Sequence, residues 1–323
     1  MAKRVLILGA GGFVGPWAAR EFLKAGWAVT GSDLMPASPL PDSCIWETAD
    51  LLQPEALTEM VRRVNPDAVL HLAGLSSVAL SWQKPQLTME INVVGTMNVL
   101  DAVRALPVLP RVLLVGSSEQ YAAGDQPLRE DSPLSAGNPY AVSKQAQEQY
   151  AFLCGRRWGL PVTCVRAFNH TGPGQRETFV IPAFVRQAAD IARSGKPGVL
   201  RVGNLTVARD FSHVEDIVRA YRLILEAENP APVYNVGSGR AWVLHDLLDF
   251  IIGLTGTEIR VETDPERFRP ADLPVSCCDA SLLRRDLGWE PRKTVLDAIR
   301  EMYDLATGAG ADQEGNTWRN PPL

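Results

Sequence analysis

The first fifteen residues narrow the possible folds more than any other segment. Arg4-Val-Leu-Ile-Leu8 is a short apolar, partly β-branched run that stops at Gly9-Ala-Gly-Gly-Phe-Val-Gly15, and a helical pattern then continues from Gly12 to Ala25. Such a run reads as a buried parallel strand, with the glycines at 9, 12 and 15 forming a tight turn into the first helix. Glycines alone serve many tight turns. At the first strand-helix junction, however, they let the backbone approach a pyrophosphate closely, and the helix amino terminus behind them offers free N–H groups.

The rest of the chain repeats the alternation. Strands are expected at Ala28 to Ser32, Ala68 to Leu72, Arg111 to Val115 and Val162 to Ala167. Helices are expected at Leu57 to Val64, Ile91 to Ala105 and Tyr140 to Arg157. Strands separated by helices imply a parallel sheet covered on both faces, hence an α/β doubly wound fold. After Phe168 the rhythm breaks at Gly172-Pro-Gly174 and Lys196-Pro-Gly198, while Val233 to Gly237 reads as one more strand of the first lobe. The expected organisation is a nucleotide-binding lobe of residues 1–168 joined by about 210–240. A smaller α/β substrate lobe follows from 169–209 and 241–310, with a tail at 311–323.

With 46% hydrophobic and 21% charged residues over 323 positions, the chain has ample material for a two-lobe core. A net charge of -5 and a pI near 5.5 argue against a nucleic-acid or anionic-membrane partner, which needs a dense basic face. The five cysteines have neither metal-ligand nor disulfide-framework spacing, and no stretch reaches the length of a membrane span. The expectation is a cytoplasmic protein with reduced thiols and no metal. His170 and His213 read as structural, and tryptophans such as Trp17, Trp82 and Trp242 as packing residues.

Asp33 follows the second strand at the separation where an acid accepts hydrogen bonds from an adenosine ribose. A carboxylate there repels a 2′-phosphate, and Leu34 and Met35 offer no arginine to receive one. NAD(H) is therefore favoured, with NADP(H) as the alternative. Asp50 and Leu51 are placed to reach the adenine edge. Tyr140-Ala-Val-Ser-Lys144 sets a phenol and an ammonium on one helix face, where the charge favours the phenolate of a group whose free pKa is about 10. Gly116-Ser117-Ser118-Glu119-Gln120-Tyr121 follows the fourth of these strands, where ligands of such sheets bind.

Together Gly9, Gly12 and Gly15, His71-Leu-Ala-Gly74, Ser117, Tyr140 and Lys144 resemble the extended short-chain dehydrogenases/reductases over nearly the whole chain. The resemblance implies a Rossmann-type sheet with a smaller substrate lobe. It implies that Tyr140 exchanges a proton with the substrate oxygen, that Lys144 lowers its pKa and holds the nicotinamide ribose, and that Ser117, beside Ser118, binds the reacting group. Cofactor contacts are implied for Phe13, Val14, Leu72, Ala73, Gly74 and Asn92, and a homodimer for the whole. Leu8 departs from the threonine often found before the first glycine.

Phe168-Asn169-His-Thr-Gly-Pro-Gly-Gln175, Val202-Gly-Asn204-Leu, Ala208-Arg209-Asp-Phe211 and Phe268-Arg269-Pro-Ala-Asp-Leu-Pro274 are similar to the branch of GDP-6-deoxy-4-keto-mannose reductases. This resemblance implies a GDP-linked deoxy sugar as substrate, contacted by Ser76, Ser117, Asn169, Val180 and Asn204. Arg209 and Arg269 can fork onto a diphosphate. The implied reaction is NAD(P)H-dependent reduction of the 4-keto group of GDP-4-keto-6-deoxy-D-mannose to GDP-D-rhamnose. Glu119 stands where related dehydratases carry a base, so a GDP-mannose 4,6-dehydratase or an epimerase stays open. A cofactor-binding sensor or scaffold is the non-enzyme alternative.

Overall fold

The computed structural model describes residues 2–36, 38–124, 126–265 and 273–309. In chain order the strands are β1 (Arg4–Leu8), β2 (Ala28–Asp33), β3 (Ile45–Thr48), β4 (Ala68–His71), β5 (Arg111–Ser117), β6 (Val162–Ala167), β7 (Asn169–Thr171), β8 (Gly198–Val202), β9 (Ala208–His213), β10 (Val233–Val236), β11 (Ala241–Val243), β12 (Ile259–Thr263) and β13 (Val275–Ser276). Seven of them form one parallel sheet in the order β10-β6-β5-β4-β1-β2-β3. The winding reverses between β1 and β4, and this places a crevice at the carboxyl ends of the strands.

Period-two alternation in β1 feeds two cores. Val5 and Ile7 enter a cluster with Trp17, Phe22, Val218 and Tyr221 on one face, while Leu6 and Leu8 join Leu57, Val61, Val99 and Val103 on the other. Each of these eight helix residues comes from a helix running back across the sheet, as right-handed crossovers require. A third core, built on Ile181, Phe184, Leu247, Ile251 and Ile299, belongs to the smaller lobe. That lobe holds a sheet in which β9 pairs with β7, β11 and β13, and a separate β8-β12 pair.

Most expected elements form within two residues of their expected ends. The expected helix Ile91 to Ala105 instead spans a π-helical turn, Glu90–Val94, followed by α-helix Gly95–Arg104. β3 was not expected at all: it is a four-residue edge strand whose Ile45 stays 62% exposed, so it lacks an apolar signature. Residues 208–213, at the edge of the segment expected to return to the first lobe, pair within the small sheet, and the chain rejoins the large layer through the helix Val214–Glu226. The expected tail lies outside the described residues.

Trp17 packs as expected and donates its indole N–H to Pro173 O at 3.1 Å. Trp82 does not pack; it is 62% exposed. All five cysteines are free. Among the described residues no helix is long and apolar enough to cross a membrane.

Candidate active site

Five strand ends meet at the crevice. At the end of β1, Gly9 has φ +79°, and a Cβ there would lie 2.5 Å from Ala73 N, so only glycine lets the two loops touch. A Cβ at Gly15 would collide with the Ala10 backbone. The helix Val14–Lys24 begins without any side-chain cap, which leaves its first amides to an anion. Phe13, its N-cap, stacks on His170 at 6.1 Å between centroids, and a loop of the second lobe thereby closes against the glycine turn.

At the end of β2, Asp33 is half-buried. Its carboxylate accepts from Gly11 N at 2.9 Å and Leu34 N at 2.7 Å, so it is fixed over the turn. Asp50 caps the next turn by accepting from Leu52 N at 2.9 Å. Leu51 packs on Gly95, and its carbonyl accepts from Asn98.

After β4 the chain passes through Leu72, Ala73 and Gly74 beside the glycine turn. Asn92, from the π-helical turn, does not face the crevice freely: its amide accepts from Leu75 N at 2.8 Å and donates to Leu75 O at 3.0 Å and Ser143 Oγ at 2.8 Å. It therefore buttresses the Gly74 loop against the Tyr140 helix. Ser76 is exposed on that loop. His71, buried below it, bonds Thr96 at 2.9 Å, and burial pushes its pKa down to about 3, so it is neutral.

β5 delivers Ser117, and the helix Pro139–Trp158 delivers Tyr140 and Lys144; all three are buried. Ser117 hydrogen-bonds the Tyr140 hydroxyl, which draws the phenol's pKa down, but burial outweighs this and pushes Tyr140 up to about 12. Burial likewise pushes Lys144 down to about 8. Its Nζ donates to Val115 O at 2.9 Å and lies 5.8 Å from the Tyr140 ring centroid, and desolvation acts against both charged forms. Tyr140 consequently holds its proton.

Ser118 is buried behind Ser117. Glu119 lies close enough to raise the Tyr140 pKa, and its carboxylate accepts from Asn138 Nδ2 at 3.0 Å. Asn138 escaped the sequence reading, although Asn-Pro before a helical run is a start signal. Its Oδ1 caps the helix by accepting from Ala141 N at 2.8 Å. One residue thus joins Glu119 to the start of the Tyr140 helix.

Asn169 is exposed just beyond β6, two positions past Ala167, the register partner of Ser117. Its own partner in the small sheet is Phe211, two residues from Arg209, whose Nη1 donates to Ala208 O at 2.8 Å. Val180 begins the helix Val180–Ser194. Asn204 is tied within its own loop to Thr206, accepting from its N and Oγ1 at 3.0 and 2.8 Å. Arg269 lies outside the described residues.

His213 gains neighbours that the sequence spacing did not reveal. Glu215 and Glu301 converge on it, but the Lys293 ammonium bonds both carboxylates at 2.8 Å, so a cation of the chain's own already sits there.

A family model described as GDP-mannose 4,6 dehydratase matches residues 6–302. The GDP-6-deoxy-D-mannose reductase of Pseudomonas aeruginosa is 33% identical over 306 residues, covering 93% of this chain and 96% of its own. Among solved structures, RMD from Pseudomonas aeruginosa complexed with NADPH superposes with a TM-score of 0.82 at 30% identity, covering 95% of this chain and all (100%) of the other. The Thermus thermophilus UDP-glucose 4-epimerase complexed with NAD gives 0.83 at 28% identity, with 95% and 99% covered.

Proposed function

The chain belongs to the GDP-mannose 4,6 dehydratase family, a nucleotide-sugar branch of the extended short-chain dehydrogenases/reductases, and on that premise we propose that it reduces GDP-4-keto-6-deoxy-D-mannose to GDP-D-rhamnose. It is a nucleotide-sugar oxidoreductase whose glycine cradle, uncapped helix and fixed Asp33 suit a dinucleotide, NADH in preference to NADPH. When bound, the reduced dinucleotide supplies the hydride.

The observation that supports the reading is the Ser117–Tyr140 pair, which suits hydride transfer at a carbonyl. A ketone that accepts hydride at carbon needs a proton at oxygen, and Tyr140, buried and with its pKa up at about 12, keeps that proton at neutral pH. The Ser117 hydroxyl would orient the same oxygen, while the Lys144 ammonium, anchored on Val115 O, would hold the nicotinamide ribose. Asn169 and Arg209 stand on the substrate side; Arg209 suits a diphosphate.

A second reading rests on Glu119. A carboxylate beside Tyr140 is placed to remove the proton next to a ketone, which is the step a 4,6-dehydratase requires. We further place the enzyme in the cytoplasm as a homodimer joined through the Tyr140 helix.

The deciding assay follows nicotinamide absorbance with NADH or NADPH and enzymatically prepared GDP-4-keto-6-deoxy-mannose. Oxidation matching the sugar consumed, and abolished in Tyr140→Phe, is the expected result. Conversion of GDP-mannose to a keto sugar at constant absorbance would instead establish the dehydratase.

A further inference from the structure

Behind Ser117 runs a file of buried polar contacts that no step above uses. The Ser117 N–H donates to Gln120 Oε1 at 2.9 Å, and Gln120 Nε2 donates to Glu148 Oε2 at 3.0 Å. Arg166 closes on Glu148 through Nε at 3.0 Å and Nη2 at 2.5 Å. Gln120 is 0% exposed, Glu148 2% and Arg166 4%. The other guanidinium arm, Nη1, donates to Tyr121 Oη at 3.0 Å and Glu130 O at 2.9 Å, so Arg166 is held from both sides.

A buried ion pair is a poor way to gain stability, because desolvation offsets the attraction and apolar packing would serve as well. What it does supply is geometry. Both ends of the Gln120 amide are assigned, since its oxygen faces a backbone donor and its nitrogen a carboxylate oxygen. Glycine at 116 makes room for it: a Cβ there would lie 2.6 Å from Gln120 Oε1.

The file also joins the two elements that carry the reacting groups to a third, β6. Ser117 ends β5. Arg166 pairs in register with Gly116 from β6. Glu148 lies two helical steps of four beyond Tyr140, with Lys144 between, on one face of the helix.

We propose that Gln120, Glu148 and Arg166 are positioning residues that lock the Ser117 backbone to the Tyr140 helix and so fix the serine hydroxyl against the phenol. This rests on the reading of Ser117 and Tyr140 as the reacting pair. None of the three touches the crevice, so their effect belongs in kcat rather than in cofactor binding.

The test compares wild type, Gln120→Met, Glu148→Gln and the exchanged pair Gln120→Glu/Glu148→Gln, in whichever reaction the wild type performs, reduction or dehydration. Gln120→Met strands the Ser117 N–H. It should lower kcat roughly 10- to 100-fold, the scale on which small misplacements act, with KM for NADH unchanged. Hydrogen exchange in a peptide covering 112–120 should quicken at the same time. The exchanged pair keeps an acceptor for Ser117 and the net charge of the file, so its kcat should exceed that of Glu148→Gln alone; packing by itself predicts no such recovery. A Gln120→Met enzyme with wild-type kcat and unchanged exchange overturns the proposal. So does an exchanged pair that folds but is no faster than Glu148→Gln, which keeps the question decidable if Gln120→Met does not fold. Should the wild type turn over neither substrate, the functional reading fails, and exchange at 112–120 alone judges the positioning.

Discussion

At the residue scale, Lys144 shows what the site costs the fold. Its pKa is pushed from the usual 10.5 down to about 8 by burial, so below pH 8 the folded protein carries a charge it would rather lose. The folded state binds fewer protons than the unfolded one between pH 8 and 10.5, and stability contributed by this group rises with pH across that window. A shift of that size corresponds to about 3 kcal/mol at most. Lys144→Met should therefore unfold at a higher temperature than wild type at pH 7, with the difference shrinking between pH 8 and 10.5, while losing nearly all turnover. A lower Tm for the variant at pH 7 would show that the Val115 contact outweighs desolvation.

Asp33 poses a separate question of charge. With both carboxylate oxygens tied to backbone N–H groups, it cannot swing away from a 2′-phosphate. Asp33→Ser should shift the ratio of kcat/KM for NADPH over NADH upward by about tenfold, equivalent to about 1.4 kcal/mol. An unchanged ratio would remove Asp33 from cofactor choice.

At the scale of elements, the Tyr140 helix depends on its N-cap, Asn138. Asn138→Ala removes the cap on Ala141 and the hold on Glu119, and should cost about 1 kcal/mol in urea denaturation. A midpoint equal to wild type would mean that Pro139 and tertiary packing alone set the helix start. Elements with a strong pattern were legible: β1, β4, β5 and β6 are apolar runs bounded by turns, because both faces of a parallel sheet are buried. β3 was not legible, since a partly exposed edge strand needs no apolar code. Nor was the π-helical turn, whose extra residue per turn aims Asn92 at both Leu75 and Ser143.

For the whole molecule, the outer face of the Tyr140 helix leaves Val142 44% and Leu153 54% exposed. On the π-helical turn that packs against this helix, Val94 is 45% exposed. Val142 and Leu153 are eleven residues apart, three turns, and so lie on one face. If that face joins two copies, Val142→Glu/Leu153→Glu should give a monomer by light scattering where the wild type gives a dimer. A wild type that is already monomeric at micromolar concentration would sink the idea.

What the sequence by itself determined was the layered fold and where Ser117, Tyr140 and Lys144 stand in it. A glycine turn after a first strand, a serine at the end of a later one, and a tyrosine and lysine one helical step apart are local patterns, and local geometry places them at strand ends and on one helix face. What only the tertiary structure decided was their state. Whether Tyr140 keeps its proton depends on how much water is excluded from it, and whether Ser117 is held depends on Gln120, Glu148 and Arg166. The file spans positions 117 to 166, and no local pattern marks its members as partners. Desolvation and long-range hydrogen bonding are sums over neighbours that the chain acquires only when the sheet and helices close around them.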